Sequence, residues 1–170
     1  MTDFSPSPSL VRDLMTVGVF TCDPATPIQD IARVLLERDL DEVVVLEEGH
    51  NVGVVGQEEL SQAYVREDWK NLTAEQVMRS GVVAIKADLP LKTAAQLMHD
   101  HKVRCLYITH HAGGVEYPAA YISYRHLVRH MAAQNLEELK NLGIKAERQS
   151  PLDVFIQRRD AARKSATKRP

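Results

Sequence analysis

Residues 11–46, VRDLMTVGVFTCDPATPIQDIARVLLERDLDEVVVL, align without a gap on residues 74–109, AEQVMRSGVVAIKADLPLKTAAQLMHDHKVRCLYIT. The pairing sets Met15 on Met78, Gly18 on Gly81, Val19 on Val82, Pro27 on Pro90 and Ala32 on Ala95, and it lays VVVL at 43–46 over LYIT at 106–109. A fixed offset sustained over this length marks an internal duplication, and a duplication decides the architecture before any single element does. Past HHAGGVEYPA, which carries a four-residue insertion in the second loop, the match resumes with VVGQEEL at 54–60 over YISYRHL at 121–127. There Glu59 falls opposite His126, so one position carries opposite charge tendencies in the two copies.

Each copy reads as the same run of elements. A short entry helix, LVRDLM or AEQVM, precedes a short strand and then a helix with a marked start. In the first copy Thr26 is the expected N-cap, Pro27 the first helical residue and Gln29 the partner that completes a capping box. Ile28, Ile31, Ala32, Leu35 and Leu36 recur at helical spacing, as Leu91, Ala94, Ala95 and Met98 do in the second copy. Two β-branched runs, 43–46 and 52–55, joined by the polar loop EEGHN, predict a strand pair, and a last helix is expected at 57–66 and 124–133. The fold class is therefore α/β (α+β), strand, helix, strand, strand, helix, twice over. One copy buries too small a share of its surface to stand alone, so the two are expected to pack on each other. The chain divides into 1–66 (N-terminal segment and first repeat), 67–133 (linker and second repeat) and 134–170 (helical C-terminal extension and basic tail).

The bulk properties exclude several classes. The chain has 170 residues, 44% of them hydrophobic, with a formal net charge of −2, which suits a packed globular domain and gives no global reason to bind nucleic acid. No apolar run is long enough for a membrane helix, and MTDFSPSPSL lacks the basic-then-apolar order of a secretion signal, so a cytoplasmic location is expected. Cys22 and Cys105 lack metal-ligand spacing and read as reduced structural thiols. The histidines, His126 and His130 at i, i+4 among them, do not complete a ligand set, and no metal is expected. No nucleophile or phosphate-loop motif is present, so no active site and no enzyme are expected. Beyond the repeats, SPLDVFIQRRDAARK has a Ser–Pro helix start and apolar Leu152, Phe155 and Ile156 suited to docking. The closing RRDAARKSATKRP sets six basic residues against one acid and reads first as a solvated tail. Trp69, in the linker, is expected to pack between the halves.

The repeated Met start, the Pro-begun helix and the paired apolar strands resemble the cystathionine-β-synthase (CBS) domain family, here as a tandem pair over about residues 11–131. The resemblance implies two CBS repeats packed by pseudo-two-fold symmetry. It also implies a regulatory module that binds AMP, ADP, ATP or S-adenosylmethionine in clefts between the halves, acts as a homodimer and passes the signal to a regulated protein. The family's ligand motif is Gly, two apolar residues, Ser or Thr, two variable residues, then an Asp that accepts ribose hydroxyls. The first copy keeps Gly53, Val54 and Val55 but has Gly56 for the hydroxyl and Glu59 for Asp; the second has Ala120 for Gly, keeps Ser123 and has His126 for Asp.

The ligand-binding residues carried over are Thr16, Val19, Gly56, Glu59, Arg79, Val82, Ser123, Arg125 and His126. Glu59 keeps a carboxylate on a longer arm and is suited to helix initiation and to ribose binding, two roles that do not exclude each other. His126 is either a drifted position or, protonated beside Arg125, an anion-recognising one that tilts the second cleft toward phosphate. Arg79 is expected at the entrance of that second cleft. A ligand-free dimerisation or interaction module using the C-terminal helix is the alternative.

Overall fold

The computed structural model describes residues 10–133 and 138–139. Helix α1 (Val11–Leu14) and strands β1 (Thr16–Val17) and β2 (Thr21–Cys22) lead into α2 (Ile28–Glu37), the hairpin β3 (Glu42–Glu47) and β4 (His50–Gly56), and α3 (Gln57–Tyr64). A short 3-10 turn at Trp69–Asn71 links this to α4 (Ala74–Val77), β5 (Arg79–Ser80), α5 (Leu91–Asp100), β6 (Cys105–Ala112), β7 (Val115–Ser123) and α6 (Tyr124–Ala132). The mixed α/β class and the duplication are both present.

The sequence repeat and the packed lobe are not the same set of residues. One sheet runs β2-β3-β4-β5 and the other β1-β7-β6, so each repeat's entry strand joins the other repeat's sheet. Strand β1 pairs Thr16 with Tyr121 and Val17 with Ala120, while β5 pairs Ser80 with Gly53 and Arg79 with Val54. The entry helices follow their strands. Val11 and Arg12 donate backbone N–H groups to Leu89 and Ala87, and Ala74 and Glu75 donate to Thr26 and Pro24. Val11 thus packs with Leu91, Ala94, Met98, Leu106 and Ile122, and Ala74 with Ile31, Leu35, Val43, Val45 and Val55.

Strand periodicity joins the lobes. Val43 and Val45 face their own helices, whereas Val44 points the opposite way, into a cluster with Val54, Cys105, Tyr107 and Tyr121 that draws on both sheets. A strand buried on both faces reads as an unbroken apolar run, which is why 43–46 is all apolar.

Several local expectations are corrected. The four inserted residues do not lengthen a loop; they add two residues to each strand of the second hairpin, and both hairpins close on two-residue turns, Glu48–Gly49 and Gly113–Gly114, with positive φ at all four. Helix α2 begins one residue later than expected, with Pro27 as its extended N-cap. Thr26 turns back to accept the Asp23 N–H at 3.1 Å instead of forming a box with Gln29. Trp69 lies 5.1 Å from the Tyr64 ring, beside Ile28, Ala63 and Leu72, rather than between the lobes. The segment SPLDVFIQRRDAARK and the basic tail lie outside the described residues.

Candidate functional site

Both copies of the motif end a strand and start a helix, and the residue facing each motif across the hairpin decides what the motif becomes. In the first copy Gly56 pairs with Glu42; in the second Ser123 pairs with Cys105. A side chain built on Gly56 would stand 2.9 Å from the Asp41 carbonyl and 3.0 Å from the Glu42 Cβ. Position 56 therefore excludes a larger residue because the Asp41 carbonyl and the Glu42 Cβ stand too close, whereas Ser123 is accommodated opposite Cys105. Gly53 obeys the same logic: an added Cβ would meet the Arg79 carbonyl at 2.7 Å and the Met78 sulfur at 2.8 Å.

Around Gly56 the structure gathers a charged network. The Glu59 Oε2 accepts the Gly56 N–H at 2.9 Å, and its Oε1 accepts from Arg79 Nε at 3.3 Å. Arg79 also donates to Glu42 Oε2 at 3.1 Å, while Tyr107 donates its hydroxyl to Glu42 Oε1 at 2.6 Å. The Glu42 side chain is only 3% exposed; burial raises its pKa, with the Tyr107 hydrogen bond and Arg79 opposing that rise. The neighbouring Glu59 charge adds to the rise. Burial likewise pushes the Tyr107 phenol well above its ordinary value. Glu42, Gly56, Glu59 and Arg79 line a shallow cleft, open to solvent and completed by Asp41, Gln57, Glu58, Lys102 and Arg104.

Around Ser123 the corresponding groups are closed on one another. His126 is 2% exposed and Ser123 fully buried. The Ser123 N–H donates to His126 Nδ1 at 3.0 Å, which leaves the ring proton on Nε2, facing the Thr16 hydroxyl at 2.9 Å. A second ring proton would point Nδ1–H at the Ser123 N–H, donor against donor. Burial lowers the His126 pKa to about 4, with Arg129 and Arg125 adding to the effect and Asp41 opposing it. Tyr121 meets the ring edge-on at 5.4 Å, and burial raises its own pKa to about 12. Arg125 ion-pairs with Asp39 and lies 3.8 Å from Asp41, tying α6 to the first hairpin's entrance.

The carried-over residues therefore divide unevenly. Gly56, Glu59 and Arg79 meet at the first cleft, while Thr16, Ser123 and His126 form the closed chain beside Arg125. The expectation that Arg79 stands with His126 is corrected, because β5 crosses to the first repeat's sheet and β1 to the second's. His126 as a charged anion receptor is corrected too, since it is buried and neutral at physiological pH. Val19 and Val82 are half-buried edges of the cluster between the sheets. Glu42, Tyr107, Lys102 and Arg104 escaped the sequence reading. The one available signal was that Glu42 with Gly56 replaces Cys105 with Ser123 as a unit.

Among the described residues no group of three or more His, Cys, Asp or Glu side chains is placed to hold a metal ion, and no helix is long and apolar enough to cross a membrane.

Paired βαββα lobes with exchanged entry strands, each with a strand-to-helix motif facing the other lobe, define a tandem-repeat module. A model of the CBS domain matches residues 11–66 and 74–133, and the chain belongs to the CBS domain family. A CBS domain-containing protein of Bacillus subtilis, YhcV, is 28% identical over 101 residues, covering 59% of this chain and 72% of that protein. Among solved structures, the CBS domain pair of MJ0100, in complex with 5′-methylthioadenosine and S-adenosyl-L-methionine, superposes with a TM-score of 0.64 at 17% identity, over 74% of this chain and 97% of that one. CBSX2 in complex with AMP gives 0.58 at 21% identity, over 72% and 95%.

Proposed function

We propose that this CBS pair is a regulatory module that binds one adenosine-containing ligand per chain, in the first cleft, and transmits its occupancy to a partner protein. The observation that carries this reading is the contrast between the two motifs. The first borders an open cleft with the Glu59 carboxylate in its lining; at the second, His126 and Ser123 are buried and satisfied by each other and by Thr16. A carboxylate has about four lone-pair positions, so Glu59 keeps acceptor capacity for a ribose diol after meeting Gly56 and Arg79. The ligands seen in MJ0100 and CBSX2 support the chemical class, AMP, ADP, ATP or S-adenosylmethionine being the candidates here.

Because the cleft takes Gly56 to Glu59 from one lobe and Lys102 and Arg104 from the other, a ligand there biases the angle between lobes. Homodimerisation is part of the proposal. Tyr124, Val128 and Met131 recur at i, i+4 and i+7 on α6 with 43%, 62% and 83% exposure, an apolar stripe suited to a second copy. A non-catalytic, cytoplasmic role fits the same reading.

Thermal melts with AMP, ADP, ATP and S-adenosylmethionine at millimolar concentration test the proposal. At least one ligand is expected to raise the Tm of the wild type and not that of Glu59→Gln. Equal melting with and without all four contradicts it and favours the ligand-free interaction module, for which the engagement of both Glu59 oxygens speaks.

A further inference from the structure

We propose that Tyr107 couples the first cleft to the second lobe: its hydroxyl bond to Glu42 and ligand occupancy at Glu59 compete through the shared Arg79, so that filling the cleft loosens a tie between the lobes. The device regulates the site assigned above and rests on that reading for its ligand. At the surface the lobes are joined by Arg125 with Asp39 and Asp41, and Asp39 is 76% exposed. In the interior Tyr107, 2% exposed, crosses from the second lobe and donates its hydroxyl to Glu42 of the first at 2.6 Å. The Glu42 side chain is 3% exposed, and the low dielectric there strengthens the bond, whereas water screens the surface pair. Tyr107 is also fixed in its own lobe, where its N–H donates to the Val83 carbonyl at 2.9 Å and its carbonyl accepts the Ile85 N–H at 2.8 Å.

One guanidinium serves two carboxylates. Arg79 reaches Glu42 through Nη2 at 3.1 Å and Glu59 through Nε at 3.3 Å, both longer than the roughly 2.8 Å of a committed charge-assisted bond. Tyr107, at 2.6 Å, gives Glu42 the donor that the divided Arg79 does not supply. Of the two carboxylates Glu59 is the more exposed, 11% against 3%, and a ribose diol brings it two hydroxyl donors. Arg79 is then released toward Glu42. A Glu42 fully served by Arg79 has less to gain from the Tyr107 hydroxyl, so occupancy weakens the bond between lobes. The linkage is reciprocal: losing the hydroxyl draws Arg79 onto Glu42 and leaves Glu59 freer to accept from a ligand.

The duplication supplies an internal control. By the repeat alignment Cys105, Thr16, His126 and Val44 stand where the first cleft has Glu42, Arg79, Glu59 and Tyr107. The counterpart of the Tyr107 bond to Glu42 would join Val44 to Cys105, and a valine side chain has no donor to give. Val44 instead packs with Val54, Cys105, Tyr107 and Tyr121 in the cluster between the sheets. A phenol thus faces a carboxylate at only one of the two positions, and the device belongs to the open cleft alone. Burial pushes the phenol pKa well above its ordinary value, so Tyr107 stays a donor across physiological pH.

A ligand-free test comes first. Urea unfolding of the wild type, Tyr107→Phe, Glu59→Gln and the double variant measures the coupling between two side chains linked through Arg79 and Glu42. Glu59→Gln gives Arg79 wholly to Glu42, so the drop that Tyr107→Phe causes in the folding equilibrium constant is expected to be smaller there by about fivefold or more. Calorimetric titration of the whole chain with AMP, ATP and S-adenosylmethionine then reads the ligand arm. Tyr107→Phe is expected to tighten binding by about fivefold, and Glu42→Gln, which leaves Arg79 to Glu59, to weaken it by as much. Damage to the fold alone would weaken both. Additive losses in the cycle, or binding that Tyr107→Phe weakens or leaves unchanged, would overturn the proposal. Coupling in the cycle with none of the three ligands bound keeps the competition for Arg79 and sinks the adenosine reading. Ligands that bind a chain whose cycle is additive leave the adenosine reading standing and sink the coupling.

Discussion

At the first motif a long carboxylate faces a glycine across the hairpin, and at the second a thiol faces a serine. The two pairs differ in the charge they bury. Glu42 brings a buried charge that needs Arg79 and Tyr107, and these groups hold a cleft whose floor is ionic. Cys105 brings none, and its thiol is held protonated by burial, with Glu42 and Asp41 pushing its pKa the same way. Neutral Ser123, His126 and Thr16 then close over the space. Duplicated halves with one fold thus come to hold one open and one sealed site through the exchange of Glu42, Gly56, Glu59 and Arg79 for Cys105, Ser123, His126 and Thr16.

The comparison can be broken most severely at Arg79. Arg79→Ala leaves the buried Glu42 carboxylate with only Tyr107, and removing one partner of such a pair costs about 3 kcal/mol. Urea unfolding should show this loss, and Glu42→Gln in the same chain should recover much of it. If Arg79→Ala alone is neutral, the ionic floor is not holding the first cleft.

The sealed site has a pH signature. A His126 pKa of about 4 in the folded chain against about 6.5 unfolded means that the unfolded state binds the extra proton between those values. Stability should be level above about pH 6.5 and fall as pH drops toward 4, by on the order of 3 kcal/mol. His126→Asn should flatten that part of the profile. A wild-type profile as flat as the variant's would mean that the ring is not buried neutral.

The close packing at Gly56 is the next test. Gly56→Ser should cost about 2 kcal/mol by overpacking against the Asp41 carbonyl and the Glu42 Cβ, as read by urea unfolding. A neutral Gly56→Ser would show that the strand end has room for a hydroxyl residue. The smallest effect is expected at the exposed bridge. Asp39 is 76% exposed, so Asp39→Asn should shift stability by less than about 1 kcal/mol and only at low salt.

Much of this architecture is legible in the sequence because it follows from period and repetition. Alternation and β-branching mark 43–46 and 52–55 as strands, Ile28, Ile31 and Leu35 mark a helix face, and the offset forecasts the second copy from the first. The entry strands were not legible: each is two residues long, and nothing local tells Thr16–Val17 or Arg79–Ser80 which sheet to join. That crossing moved Arg79 from His126 to Glu59. The charge of His126 was misread because protonation depends on burial, and burial comes from Thr16 and Tyr121, distant in sequence or on the preceding strand. Glu42 was hidden by its place at the head of an apolar run, with its partner Tyr107 far along the chain. The side chains that close a site are set by tertiary neighbours, whereas the motif that announces it is local.

The asymmetry of the two clefts is tested most directly by the stoichiometry of AMP binding to the wild-type chain, measured calorimetrically beside Glu59→Gln and His126→Asn. One AMP per chain, lost in Glu59→Gln and retained in His126→Asn, is the predicted result. Two per chain, or a single site that His126→Asn abolishes while Glu59→Gln leaves it intact, would contradict the account.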